Sequence, residues 1–222
     1  MIKLYHYPIC PLSRQVRVIL KELNLMFSIV KEDYWLNNEE FLKINPAGTL
    51  PVLIELSNHT ISGIYPIIEY LDEKYPNLRL MEGDLITKSE IRRLFYWFND
   101  KFCKEVTNIL IDEKVIRLIS GIGSPRTEYI KIAKNNLIVH LNYLSNLLQI
   151  RGMLSCERLT IADIAAACQI SVIDYFGEIN WNNWPLVQLW YSAIKSRPSF
   201  RPILQDYVPG FTPSSTYADL DF

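Results

Sequence analysis

The sequence predicts a mixed α/β domain followed by an all-α domain, and three observations carry this. Over residues 1–76, short apolar runs suited to strands alternate with amphipathic stretches suited to helices. From about residue 87 to 205 the apolar residues recur only at helical spacing. Between the two, residues 77–86 are polar, contain a glycine and read as a linker. The chain has 222 residues, 49% of them apolar, with 13 Tyr, 9 Phe and 5 Trp, enough for a core shared by two small domains.

Residues 2–7 alternate as a strand, and Pro8-Ile9-Cys10-Pro11 turns the chain out of it. Ser13 is placed to cap a helix to about Leu23 that buries Val16, Ile19, Leu20 and Leu23. Met26 to Lys31 reads as a second strand, and Asn38 to Leu42 as a short helix stopped by Pro46. Val52–Leu56 and Thr60-Ile61 form a hairpin around Ser57-Asn58-His59. A helix from Gly63 to about Tyr75 carries Ile64, Ile67, Ile68 and Leu71. Strand–helix–strand followed by strand–strand–helix is the thioredoxin arrangement, a parallel crossover and then an antiparallel hairpin.

In the second half, residues 86–119 and 126–149 read as long helices separated by Gly121 to Pro125. Thr160-Ile161-Ala162-Asp163 is a capping box with Asp in place of Glu. Trp184-Pro185 opens the next helix, and Arg197-Pro198-Ser199-Phe200 leads into a short last one.

The composition excludes several classes of function. With 23 basic and 24 acidic residues there is no basic excess for nucleic acid. Cys10, Cys103, Cys156 and Cys168 lack metal-ligand spacing and fit a reducing compartment. His6, His59 and His140 are scattered and read as surface or packing residues, so no metal is expected. The start of the chain lacks a signal peptide's apolar core and no run is long enough to cross a bilayer, so a cytoplasmic protein is expected.

The chemistry gathers around Asn45-Pro46-Ala47-Gly48-Thr49-Leu50-Pro51-Val52-Leu53. Pro51 has no N–H for a sheet ladder and must open the strand or lie at its edge. If the Leu50–Pro51 bond is cis, the N–H and C=O of Leu50 are turned outward, free to pair with an extended peptide. This wording resembles the segment before the third strand of the glutathione S-transferase superfamily. Leu159 to Ile164 and Trp184 through Phe200 resemble that superfamily's helical domain, so the likeness runs in order from residue 1 to about 205. The resemblance implies a thioredoxin-like N-terminal domain, a glutathione S-transferase-type helical C-terminal domain, a homodimer, and a glutathione site in which Leu50 and Pro51 hold the cysteinyl part.

Three candidates follow from the resemblance. Cys10-Pro11-Leu12-Ser13 resembles a monothiol glutaredoxin motif and the place of the catalytic cysteine in omega-class members. A helix N-terminus would favour its thiolate; the other reading is a cysteine packed beneath a turn. Tyr5 and Tyr7 occupy the place of a thiol-activating tyrosine in other classes, but strand alternation gives them one face and packing is the better reading. Third, Tyr70-Leu71 sets a register in which the family's Glu–Ser pair for the γ-glutamyl group falls on Gly63 and Ile64. Neither side chain can replace it, and Ser62 serves only if the register slips by one.

After residue 205, Tyr207 to Ser215 reads as an extended linker that delivers Thr216-Tyr217-Ala218-Asp219-Leu220-Asp221-Phe222. Tyr217, Leu220 and Phe222 beside Asp219, Asp221 and the terminal carboxylate suit a peptide that docks in a partly basic groove. The other reading is a frayed end. A Glu–Ser position that is lost, together with this ending, is similar to a branch of the superfamily in alphaproteobacterial cell division that associates with FtsZ filaments and does not work through glutathione. The resemblance implies a non-catalytic adaptor at the division site, without a cofactor, that binds FtsZ and a second division protein through the tail. The alternative is a glutathione-dependent transferase or thiol-disulfide reductase using Cys10. A third reading is an enzyme with another substrate between the domains.

Overall fold

A computed structural model describes residues 1–76, 79–220 and 222. Strand β1 (Ile2–His6) runs parallel to β2 (Phe27–Lys31), the crossover being α1 (Pro11–Glu22). On its other side β1 pairs antiparallel with β3 (Val52–Ile54), which forms a hairpin with β4 (Thr60–Ser62), giving the order β2-β1-β3-β4. Alternation sends Ile2, Leu4 and His6 into the core and Lys3 outward. Helix α2 (Glu39–Ile44) is capped by Asn38, whose side chain accepts from Glu40 N at 3.0 Å, and α3 (Ile64–Lys74) follows the hairpin. The expected thioredoxin-like sheet is present.

The rest is helical. Asp84 caps α4 (Leu85–Tyr96), which continues through a π-helical stretch (Trp97–Thr107), α5 (Asn108–Ile111), a second π stretch (Asp112–Ile116) and α6 (Arg117–Ile119). The expected helix over 86–119 is therefore one rod, but more widely wound in the middle than apolar spacing alone indicates. Helix α7 (Thr127–Arg151), α8 (Ile161–Tyr175) and α9 (Pro185–Lys195) complete the bundle. Every residue of α8 is buried, and its Ala165-Ala166-Ala167-Cys168 run lets α1, α4 and the first π stretch approach. Its capping box forms as expected: Thr160 N donates to Asp163 Oδ2 at 2.9 Å.

The seam between sheet and bundle is made by α1 and is polar. Gln15 Nε2 donates to Asn99 Oδ1 at 2.6 Å, and Arg14 Nη1 to Ser171 Oγ at 2.8 Å. Arg17 forms a two-pronged pair with Asp206, and Glu22 one with Arg197. Arg14, Gln15 and Arg17, polar residues of α1 outside its apolar stripe, are buried against the second half of the chain.

Several boundaries differ from expectation. Cys10, not Ser13, is the N-cap of α1, because Pro11 supplies a first helical residue with fixed φ and no N–H to satisfy. Ser13 is wholly buried one turn in. Ser62 ends β4 opposite Val52, and Gly63 is the cap of α3, so the register has not slipped. Asn77 and Leu78 of the expected linker lie outside the described residues. Its Leu80 and Met81 are buried, and Leu80 O accepts from Ile161 N, so this part of the linker is fixed to the bundle.

Candidate functional site

The cleft between sheet and bundle has a volume of about 340 Å³. One wall is Cys10, Pro11 and Leu12 at the start of α1, with Tyr34, Thr49 and Leu50 from the loops. The other is Asn99, Cys103, Lys104, Asn108, Ile111 and Asp112 from the widened helix. The Leu50–Pro51 bond is cis. Among the described residues no hydrogen bond is made by the Leu50 N–H or C=O, as expected for a backbone turned to the cleft.

Cys10 faces this cleft, but not as a ready thiolate. Burial pushes its thiol up, and the Ser13 hydroxyl and the N–H groups of Ser13 and Leu12 only partly restore it. That direction is opposite to the one expected from the helix N-terminus alone. Cys103, which the sequence marks only as lacking metal-ligand spacing, also lines the cleft; burial raises it to about 12. Nothing in the spacing of Phe98, Phe102, Cys103 and Val106 sets that position apart, since the π winding decides which residues turn to the cleft.

Tyr7 lies just past β1, buried, edge-on to Trp35 at 4.8 Å and to Tyr34 at 6.3 Å; Tyr5 packs on Phe41 at 5.6 Å. Both are packing residues. Gly63 has φ 88° and ψ 152°, a conformation that only glycine adopts without strain, and Ile64 is buried in the core. The structure therefore presents no side chain at these two positions for a γ-glutamyl group. Ser62 stands half-buried at the end of β4, one residue before them.

The tail is not a loose arm. Val208 and Phe211 bridge around Pro209-Gly210, and Tyr175 fastens the turn, its hydroxyl donating to Phe211 O at 2.8 Å and accepting from Val208 N at 3.0 Å. The expected extended linker is thus folded onto α8. Tyr217 is a further correction. Expected as a docking anchor, it is 1% exposed, its hydroxyl accepting from Arg14 Nη2 at 2.8 Å and donating to Ile203 O at 2.7 Å. A phenol end in reach of a buried guanidinium and a backbone carbonyl makes it a core residue. Asp219 is exposed, Leu220 and Phe222 are half-buried, and Asp221 lies outside the described residues. Sequence reading missed Arg14 altogether, although it joins α1, α8 and the tail.

Comparison with known proteins agrees with this architecture. Residues 4–79 match the family model of the glutathione S-transferase N-terminal domain. The chain is 40% identical over 222 residues to FtsZ-localized protein A of Caulobacter vibrioides, covering 99% of this chain and 97% of that one. The chain belongs to the glutathione S-transferase superfamily. Its structure superposes on a superfamily member from Rhodospirillum rubrum F11 with a TM-score of 0.95 at 43% identity, over the whole of both chains. It also matches FzlA from C. crescentus with a TM-score of 0.96 at 40% identity, covering all of this chain and 99% of that one. It is thus a glutathione S-transferase-like homologue of an FtsZ-localized protein. Among the described residues no helix is long and apolar enough to cross a membrane.

Proposed function

We propose that this chain is a non-catalytic adaptor of bacterial cell division. It works in the cytoplasm at the division site, binds FtsZ filaments, and uses the end of its tail for a second division protein. The observation that carries the reading is whole-length similarity to an FtsZ-localized protein in a chain whose γ-glutamyl position is Gly63-Ile64. In this reading no cofactor is needed. In the same reading the exposed Asp219 and the half-buried Leu220 and Phe222 meet the second partner, Tyr217 being committed to the core. The test is co-sedimentation of the full chain with GTP-assembled FtsZ. Enrichment in the pellet only when polymer is present is expected, and equal pelleting with and without polymer rejects FtsZ binding.

The adaptor acts as a homodimer. Tyr65 on α3 packs on Phe95 and on the exposed Tyr96 of α4 at ring distances of 5.5 and 5.9 Å, leaving an aromatic face beside a small apolar cavity that suits a second copy. Sedimentation velocity is expected to give a dimer, and Tyr65→Asp a monomer.

One observation favours a second reading: Cys10 and Leu50 share the cleft. A glutathione-dependent transferase or thiol-disulfide reductase would use Cys10 there. Activity lost in Cys10→Ala would support it, and activity undiminished would remove it.

A further inference from the structure

Strand β2 is an open edge of the sheet: it pairs with β1 on one side and, among the described residues, with no strand on the other. His6 stands opposite Lys31, and its carbonyl accepts from Glu32 N at 2.9 Å. In a parallel ladder this pattern bonds β1 to the residues flanking Lys31, so the even-numbered residues turn their main chain towards β1. The N–H and C=O of Phe27, Ile29 and Lys31 therefore point away from β1, and among the described residues they have no hydrogen-bond partner. Exposed edges are commonly blunted by a charge, a proline or a bulge. Phe27-Ser28-Ile29-Val30 has none of these, and Ile29 is 47% exposed.

The same alternate residues open onto a groove of about 200 Å³. Phe27 and Ile29 line it from the strand, Pro202 and Ile203 from the turn after α9, and Arg17 and Lys21 from α1. Its charges do not balance. Arg17 is matched by Asp206, and Glu22, which accepts from Ser199 in the groove lining, is matched by Arg197. Lys21 is exposed, makes no ion pair among the described residues and lies over the Phe27 ring, 5.6 Å from its centre. The edge thus combines apolar contact, open main-chain groups and an unanswered cation. A second copy of β2 would bring a second such cation, so charge favours an acidic partner over self-pairing.

We infer that the outer edge of β2 accepts an extended acidic peptide segment as a fifth strand of the sheet. The main chain of the segment pairs with Phe27, Ile29 and Lys31. Its alternate side chains set an apolar residue against Ile29, Pro202 and Ile203 and a carboxylate at Lys21. Strand β4, which leads into the dimer face on α3, is the opposite edge, so dimerisation there leaves β2 open. Docking at β2 is independent of the tail and of FtsZ binding.

The experiment uses the full isotope-labelled chain and the peptide Thr-Glu-Thr-Ile-Thr, blocked at both ends and titrated into the millimolar range. Saturable NMR shifts of the Phe27, Ile29 and Lys31 amides are expected; shifts confined to other residues, or none, overturn the site. N-methylation of the central Thr or of the Ile removes main-chain donors that face opposite ways in a strand. One of these peptides should bind about tenfold more weakly, and the other nearly as well as the parent. Equal affinities overturn strand addition. Lys21→Glu, a change at an exposed position, should weaken binding several-fold and reverse the preference towards a peptide with Lys in place of Glu. An unchanged preference overturns acidic recognition. Concentration-dependent shifts of the same amides without peptide would assign the edge to a second copy and overturn the acidic partner.

Discussion

The cleft around Cys10 and the seam around Arg14 lie on the same helix, four residues apart, and are built on opposite principles. The cleft keeps the family's outline: a cis-proline, a cysteine at a helix N-terminus, an open wall. Where the resemblance places the γ-glutamyl pair it has glycine and a buried isoleucine, and burial pushes its thiol up. The seam has no counterpart among recognised motifs, yet each N–H group of Arg14 that faces it is answered, by Pro8 O, Ser171 Oγ and Tyr217 Oη. A guanidinium is buried at tolerable cost only when hydrogen-bonded in this way. The contrast teaches that the buried polar hydrogen bonds of this chain are concentrated where the two halves and the tail join, while the cleft carries few of them.

The largest expected effect breaks the seam. Arg14→Met should lower stability by about 4 kcal/mol, since three charge-assisted hydrogen bonds of about 1.5–3 kcal/mol each are lost non-additively. Cys10→Ala, at the cleft, should cost less than about 1 kcal/mol. Urea unfolding of the two variants side by side checks this, and similar losses would dissolve the contrast. A second test is pH. Burial, helped by the Arg17 and Arg14 charges, lowers His6 from its ordinary 6.5 to about 4. The folded state thus refuses a proton that the unfolded chain accepts. Stability from this source is complete above about pH 6.5 and declines as the pH falls to about 4, by about 3 kcal/mol in all. An NMR titration placing the His6 imidazole near 6.5 would refute it. Smaller again is Tyr217→Phe, which removes one hydroxyl from the network. A loss of about 1–3 kcal/mol is expected, with the Arg14 donor left unanswered; no loss would mean that the tail is not fastened there.

Legibility in the sequence follows the same division. The elements were readable because apolar periodicity, prolines and the Thr160–Asp163 box are local signals, and the local preferences agree with the fold. The start of α3 was readable because the helical spacing of Ile64, Ile67, Ile68 and Leu71 begins directly after Gly63, which is the N-cap. Cys103 and Asn99 were not readable as cleft residues, since an α-helical wheel misplaces side chains on a stretch that winds with π hydrogen bonds. Arg14 and Lys195 were not readable as buried, because their partners Tyr217, Ser171 and Thr216 are distant in sequence. Tyr217 misled for the same reason: near a chain end an aromatic residue among acidic ones has the composition of a docking peptide, and only the fold brings a buried guanidinium to its hydroxyl.

The smallest expected signal is the one that sharpens the comparison from the other side. Glutathione titrated calorimetrically at millimolar concentration under reducing conditions should give no resolved binding to the wild type. Each missing charge-assisted contact costs about 1.5–3 kcal/mol, tenfold or more in affinity. The variant Gly63→Gln/Ile64→Ser restores polar side chains where the family has them. Its affinity is expected to rise into the measurable range while its stability falls, because a side chain at φ 88° is strained by about 1–3 kcal/mol and a buried isoleucine is lost. Binding by the wild type would mean that the Leu50 backbone and the helix N-termini suffice without side chains. A silent double variant would mean that the loss extends beyond these two positions, into the Cys10 wall of the cleft.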